Sequence, residues 1–169
     1  MSAGESAVGM SSGETPERRQ LRCLAFQVRS LANRQHPAVR HSPSCRCLDL
    51  TVAWCRDRHT FGRPQASRQL VRHRLAEMAT RTAAAGAIVG QVAVRDASGE
   101  PLVTEVAMAK NVAVAACDWV VDRAVQPHGG YGYLRDAEVE RHYRDARIMG
   151  IGGGTTEIMN EIIAKGMGI

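Results

Sequence analysis

The sequence predicts an all-α fold, and three observations carry that prediction. Of 169 residues 44% are hydrophobic but only 4% aromatic, which suits an aliphatic, alanine-rich helix core better than a sheet. From Leu48 onward several stretches repeat their apolar residues with helical spacing. Nowhere does a run alternate with the two-residue period of a strand.

Two kinds of sequence are joined near Leu48. Residues 1–46 form an arm in which "MSAGESAVGMSSGETPERRQ" is rich in Gly, Ser and Glu, and "LANRQHPAVRHSPSCRC" has no sustained period. Only Leu21 to Leu31 is predicted as a short helix there, and no acid occurs between Glu17 and Asp49. The arm is expected to be poorly structured, and residues 47–169 to be the folded domain.

In that domain "LDLTVAWCRDRHTFG" reads as a helix closed by Gly62, with Pro64 opening the next, where a missing N–H costs least. The second helix places Val71, Leu75, Met78, Thr82, Ala85, Val89 and Val92 at alternating spacings of four and three, a coiled-coil-like seam. "DASGEP", Asp96 to Pro101, is a turn by composition. A third helix, about Leu102 to Val125, is apolar over most of its circumference and is therefore expected at the centre; Ala107, Ala109, Ala113 and Ala116 would let neighbours approach. "QPHGGYGYLRD" is a glycine-rich loop, "AEVERHYRDARIM" a short charged helix, and "TTEIMNEIIAKGMG" a last helix with Ile158, Ile162 and Ile163 inward and Gly166 as its stop.

Charge and cysteine usage narrow the function. The net charge of +5 sits mostly in the arm: residues 1–46 hold seven Arg against three acids, and the remainder fifteen basic against fourteen acidic side chains. Single arginines without interleaved aromatics argue for a solvated arm rather than a nucleic-acid binder. The five cysteines, Cys23, Cys45, Cys47, Cys55 and Cys117, lack the paired spacing of a zinc site and read as free thiols. No metal site is expected. With neither a signal peptide nor a membrane span in the sequence, the expected location is cytoplasmic.

Several segments carry candidate chemistry, and each has an ordinary alternative. Arg58 and Phe61 in "CRDRHTFGR" either terminate a helix or offer a guanidinium to a phosphate. Gly129, Gly130 and Gly132 in "VQPHGGYGYLRD" either permit a turn or let a diphosphate or adenine approach bare backbone, with Gln126 offering an amide. His128 has no carboxylate or nucleophile specified nearby to make it a base, and Tyr131 and Tyr133 read as packing residues. "GIGGGTTEI" is not a nucleotide-triphosphatase loop, because no Lys follows its glycines and no strand precedes it. Thr155 is a good helix N-cap whose turn would welcome an anion. "RHYRDARI", with Asp145 between Arg144 and Arg147, reads as a salt-bridged helix face.

Taken in order, the segments R-x-R-x-T-F-G-R, L-A-E-M, M-A-K, Q-x-x-G-G-x-G-Y, R-x-x-R-D-A-R-I and G-G-T-x-E-I-M lie in register from Asp49 to about Gly168. This resembles the C-terminal helical domain of the acyl-CoA dehydrogenases, about the last third of such an enzyme. The resemblance implies an up-down helical bundle that shares FAD between subunits and self-associates or joins a homologous dehydrogenase. It also implies an acyl-CoA substrate and an electron-transfer flavoprotein as oxidant. By position, Arg58 resembles the arginine on the FAD pyrophosphate, with Thr60 and Phe61 beside it and Gln69 near the adenosine. Gln126, Gly129 and Gly130 resemble the loop that closes on FAD, and Thr155 and Glu157 the contacts at the last helix.

The family's base departs from this pattern. Many members carry the proton-abstracting Glu two residues before the Thr equivalent to Thr155, and here that residue is Gly153, so no catalytic residue is assigned. The "GGTTEIM" variant is similar to long-chain members, whose base lies six or seven helical turns upstream of Arg58, around Ser30 to Gln35. "SLANRQ" has no carboxylate there, and the Glu-Arg pair at Glu17 is too far upstream for an ungapped match. The expectation is a truncated dehydrogenase, inactive alone, with residues 1–46 read in a shifted frame or replaced. A non-catalytic FAD-binding or oligomerisation module is the alternative.

Overall fold

The computed structural model describes residues 42–169. The short helix expected at Leu21 to Leu31, the segment Ser30 to Gln35, Glu17 and Cys23 lie outside them.

Among the described residues five α-helices make the fold. Helix α1 (Pro43–Asp57) begins four residues inside the stretch assigned to the arm, because Ser42 accepts a bond from the Cys45 N–H at 3.3 Å and Pro43 follows at the first helical position. It ends at Asp57 rather than at Gly62. Between lies a two-residue hairpin, β1 (His59–Thr60) and β2 (Arg63–Pro64), paired antiparallel with His59 opposite Pro64. Its tip, Phe61 and Gly62, has φ of 52° and 76°, the two left-handed residues that a type I′ turn demands. Pro64 therefore closes the hairpin and opens only a 3₁₀ turn, Gln65–Ser67, and the next α-helix starts at Gln69.

Helix α2 (Gln69–Ala97) buries Met78, Thr82, Ala85, Val89 and Val92, as its seam predicts, with Val71 and Leu75 half-buried. Helix α3 (Val103–His128) is central and packs against α1, α2, α4 (Glu138–Ala146) and α5 (Thr156–Gly166). It runs past the expected end at Val125 and takes Pro127 into its last turn. Short 3₁₀ turns join the later helices, Gly129–Tyr133 before α4 and Arg147–Gly150 after it.

Two cores lie along α3. The first joins Val89 and Val92 to Val106, Ala107, Ala109, Ala113 and Met159; the second joins Cys47 and Met78 to Cys117, Val120, Val121 and Ala124, capped by Val139 and Ala146 of α4. The inner stripe of α5 differs from expectation. Met159 is fully buried with Ile162 and Ile163 packed around it, while Ile158, one helical position away, is 46% exposed. Gly166 is also not a left-handed stop; a Cβ there would stand 2.3 Å from the Thr104 hydroxyl of α3. Arg46 ties α1 to α4 through both oxygens of Glu138, at 2.7 and 2.8 Å.

Among the described residues Cys45, Cys47, Cys55 and Cys117 are free, and no cluster of His, Cys, Asp and Glu could hold a metal ion. No described helix is long and apolar enough to cross a membrane.

Candidate functional site

The candidate residues fall into two groups, and the first is built where α1 ends. The Arg58 N–H closes α1 on the Trp54 carbonyl at 2.8 Å, and its own carbonyl accepts from the Gln65 N–H at 2.8 Å. Its backbone is thus fixed while its side chain is exposed and unpartnered among the described residues. Arg68 donates to the Thr60 carbonyl at 2.8 Å and lies over the Phe61 ring at 5.2 Å, so the hairpin is braced from α2. Phe61 itself is 95% exposed. Gln69, the first residue of α2, is exposed beside it.

This end is strongly basic. Residues 56–74 carry Arg56, Arg58, Arg63, Arg68, Arg72 and Arg74 against one carboxylate, Asp57, and no acid stands in the first turn of α2. Cations at a helix N-terminus oppose its dipole, a local conflict expected where an anion is to be received.

The end of α3 is pinned to the same place. Trp54 donates its indole N–H to the Pro127 carbonyl at 3.0 Å and stacks on His128 and Tyr131, with ring centroids 4.9 and 5.0 Å away. Gln126, Gly129 and Gly130 are thereby held, exposed, beside the end of α1. Gly129 needs its residue type for φ of 60°; Gly130 has no positive φ and, among the described residues, nothing within 4 Å of where a Cβ would stand. Packing among the described residues gives no reason for glycine at 130, whereas a group approaching bare backbone from outside does. His128 is buried, donates from Nδ1 to the Ala124 carbonyl at 2.8 Å, and is pushed by burial toward its neutral form. It anchors the loop. Tyr131 packs as expected, but Tyr133 is 84% exposed and does not.

The second group stands apart. Thr155 caps α5 by accepting the Ile158 N–H at 3.4 Å, and its hydroxyl, bonding to Glu157, holds that exposed carboxyl below its ordinary range. The turn before it is held by Lys110 of α3, which donates to the carbonyls of Gly152 and Gly154. Lys110 lies eighteen residues before His128, about 27 Å along the helix axis at ~1.5 Å per residue. Gly153, in the middle of that turn, has φ of 68°.

Two residues that hold these groups in place have no role assigned from the sequence. Trp54 lies in a stretch that the sequence marks only as a helix. Lys110 did leave a signal, as the only charge in the run Val106 to Cys117.

The sequence profile of the acyl-CoA dehydrogenase C-terminal domain matches residues 32–168, a span that begins inside the presumed arm and takes in both groups. The chain belongs to the acyl-CoA dehydrogenase family. Among its relatives, acryloyl-CoA reductase (NADH) of Anaerotignum propionicum is 43% identical over 118 residues, 70% of this chain and 30% of that protein. The caffeyl-CoA reductase–Etf complex subunit CarC of Acetobacterium woodii is 35% identical over 117 residues, 69% of this chain and 31% of that protein. The crystal structure of a probable acyl CoA dehydrogenase from Mycobacterium abscessus superposes with a TM-score of 0.76 at 50% identity, covering 89% of this chain and 37% of that one. This acyl-CoA dehydrogenase domain thus spans about a third of the length of the relatives it matches.

Proposed function

We propose that the chain acts as the FAD-holding and assembly domain of an acyl-CoA dehydrogenase, and that it does not abstract the substrate proton itself. The observation that carries this reading is the separation of its two groups of candidate residues by about 27 Å of helix. One group offers Arg58, Thr60, Phe61 and Gln69 with the bare backbone of Gly129 and Gly130 and the amide of Gln126. The other offers Thr155 and Glu157. A single cofactor is then reached by the first group of one chain and the second group of another.

Each residue has a task that its chemistry allows. Arg58, unpartnered among the described residues and fixed at its backbone, would neutralise a diphosphate through charge-assisted hydrogen bonds. Gly129 and Gly130 would admit the cofactor against main chain, and Phe61 would cover it from water. Thr155 and Glu157 would bond its polar edge at the start of α5. When bound, FAD supplies the hydride acceptor for α,β-dehydrogenation of an acyl-CoA thioester. An electron-transfer flavoprotein is the proposed oxidant, in keeping with the relative named as part of an Etf complex. The proposed setting is the cytoplasm.

Gly153 stands where many members hold the base, and glycine cannot accept a proton. That residue favours a second reading, a non-catalytic module that holds FAD and joins a homologous dehydrogenase. Titrating FAD into the purified chain, alone and with a full-length homologue, tests both. Flavin uptake with acyl-CoA turnover only in the mixture supports the proposal, uptake without turnover in either supports the module, and no uptake in either sinks both.

A further inference from the structure

The motif Met108-Ala109-Lys110 has no part in the cofactor reading above, yet its lysine is only 2% exposed. A buried cation costs several kcal/mol of lost hydration unless it is fully engaged, and an apolar side chain would pack the same volume without that cost. Among the described residues no carboxylate pairs with Lys110. Its ammonium is spent on the Gly152 carbonyl, at 2.8 Å, and on the Gly154 carbonyl. Those two carbonyls flank Gly153, and they converge on one nitrogen because the chain turns through left-handed backbone at Gly153, φ 68°, and Gly154, φ 111°. The next residue is Thr155, the cap of α5. Asn111 continues the contact one residue on, donating to the Asn160 side chain at 2.8 Å, and Met159 is buried between.

We infer that Lys110 is a positioning residue: by gathering the Gly152 and Gly154 carbonyls it holds the Gly153 turn left-handed and so presents Thr155 and Glu157 to the cofactor. The role of the turn as a cofactor face rests on the proposed function; the clamp itself does not. A residue that merely packed α5 against α3 would act on the helix as a whole, through Met159, Ile162 and Ile163. The clamp acts on three peptide groups.

The test uses the full chain and Lys110→Met, which keeps the stem and removes the ammonium. Amide hydrogen exchange is followed at Gly152 and Ile158, whose N–H groups donate to the Ile148 carbonyl at 2.7 Å and the Thr155 hydroxyl at 3.4 Å, and, as a control, at Gly129 to Tyr133, with FAD affinity read by flavin fluorescence. In K110M the turn should exchange about tenfold faster or more and FAD affinity should fall about tenfold, with the Gly129 loop unchanged. Unchanged exchange at the turn overturns the clamp. Faster exchange with undiminished FAD affinity keeps the clamp and removes its link to the cofactor, as does a wild type that takes up no FAD with or without a full-length homologue. If K110M loosens everywhere, Lys110→Arg decides: restored protection at the turn supports a cationic clamp, and a restored fold with an unprotected turn marks Lys110 as packing.

Discussion

Arg58 shows how a single residue can be legible in sequence and yet unassigned. The text "RDRHTFG" admits an ordinary helix end, and the backbone of Arg58 does serve as one, closing α1 on Trp54. What the sequence could not separate is that backbone and side chain do different work, since the guanidinium is left unpartnered among the described residues. Arg58→Ala should therefore leave thermal stability unchanged while FAD affinity falls about tenfold to a hundredfold, the range for a lost charged hydrogen bond. A melting temperature that drops with the affinity would show the side chain to be structural. The α5 stripe teaches the opposite lesson. Ile158, Ile162 and Ile163 fit a helical period, but so do Met159, Ile162 and Ile163, and only the register of the Thr155 cap against α3 chooses between them. Met159→Ala should cost about 2–5 kcal/mol and Ile158→Ala under about 1 kcal/mol in denaturant unfolding. Equal costs would contradict the buried position of Met159.

At the scale of elements, the long helices were readable because periodicity survives any context, and the seam of α2 needed no correction at its buried positions. The pieces that were missed are short and held by single contacts. The hairpin has two residues per strand and exists through its type I′ tip and the Arg68 brace; the early start of α1 depends on Ser42 and Pro43. A Ser-Pro pair ahead of an apolar run was the available signal. The α1–α4 tether is of the same kind. Its two hydrogen bonds from Arg46, with the added bond and charge of His142, bring the Glu138 carboxyl down to about 2. A lowered carboxylate pKa contributes stability that is fully present above the unfolded value, about 4.3, and is lost as pH falls toward about 2. Both side chains are some 40% exposed, so the contribution belongs with surface pairs, up to about 1 kcal/mol. Glu138→Gln should lower stability by that amount at pH 7 and converge with the wild type near pH 2. Curves that stay parallel across the window would remove the tether from the account.

The whole molecule is shaped by an imbalance of lengths. Helix α1 has 15 residues and α3 has 26, about 22 Å against 39 Å, so among the described residues α1 covers only the half of α3 around Cys117 to Val121. The other half, with the end of α2, leaves Val94, Val103, Met108 and Val112 exposed; Phe61 and Leu134 add to this at the opposite end. Apolar surface on this scale favours association. The proposed function would give association a second cause: residues about 27 Å apart along α3 would serve one cofactor only where two chains meet over it. Chain association and FAD binding are then linked, and each must strengthen the other by the same factor. Sedimentation velocity over a hundredfold range of concentration should show assembly above the 18.3 kDa monomer, shifted to lower concentration by added FAD. Flavin affinity measured over the same range should rise with chain concentration. An affinity independent of concentration would place all the cofactor contacts on one chain, and the shared site would have to be abandoned even if the protein still associates.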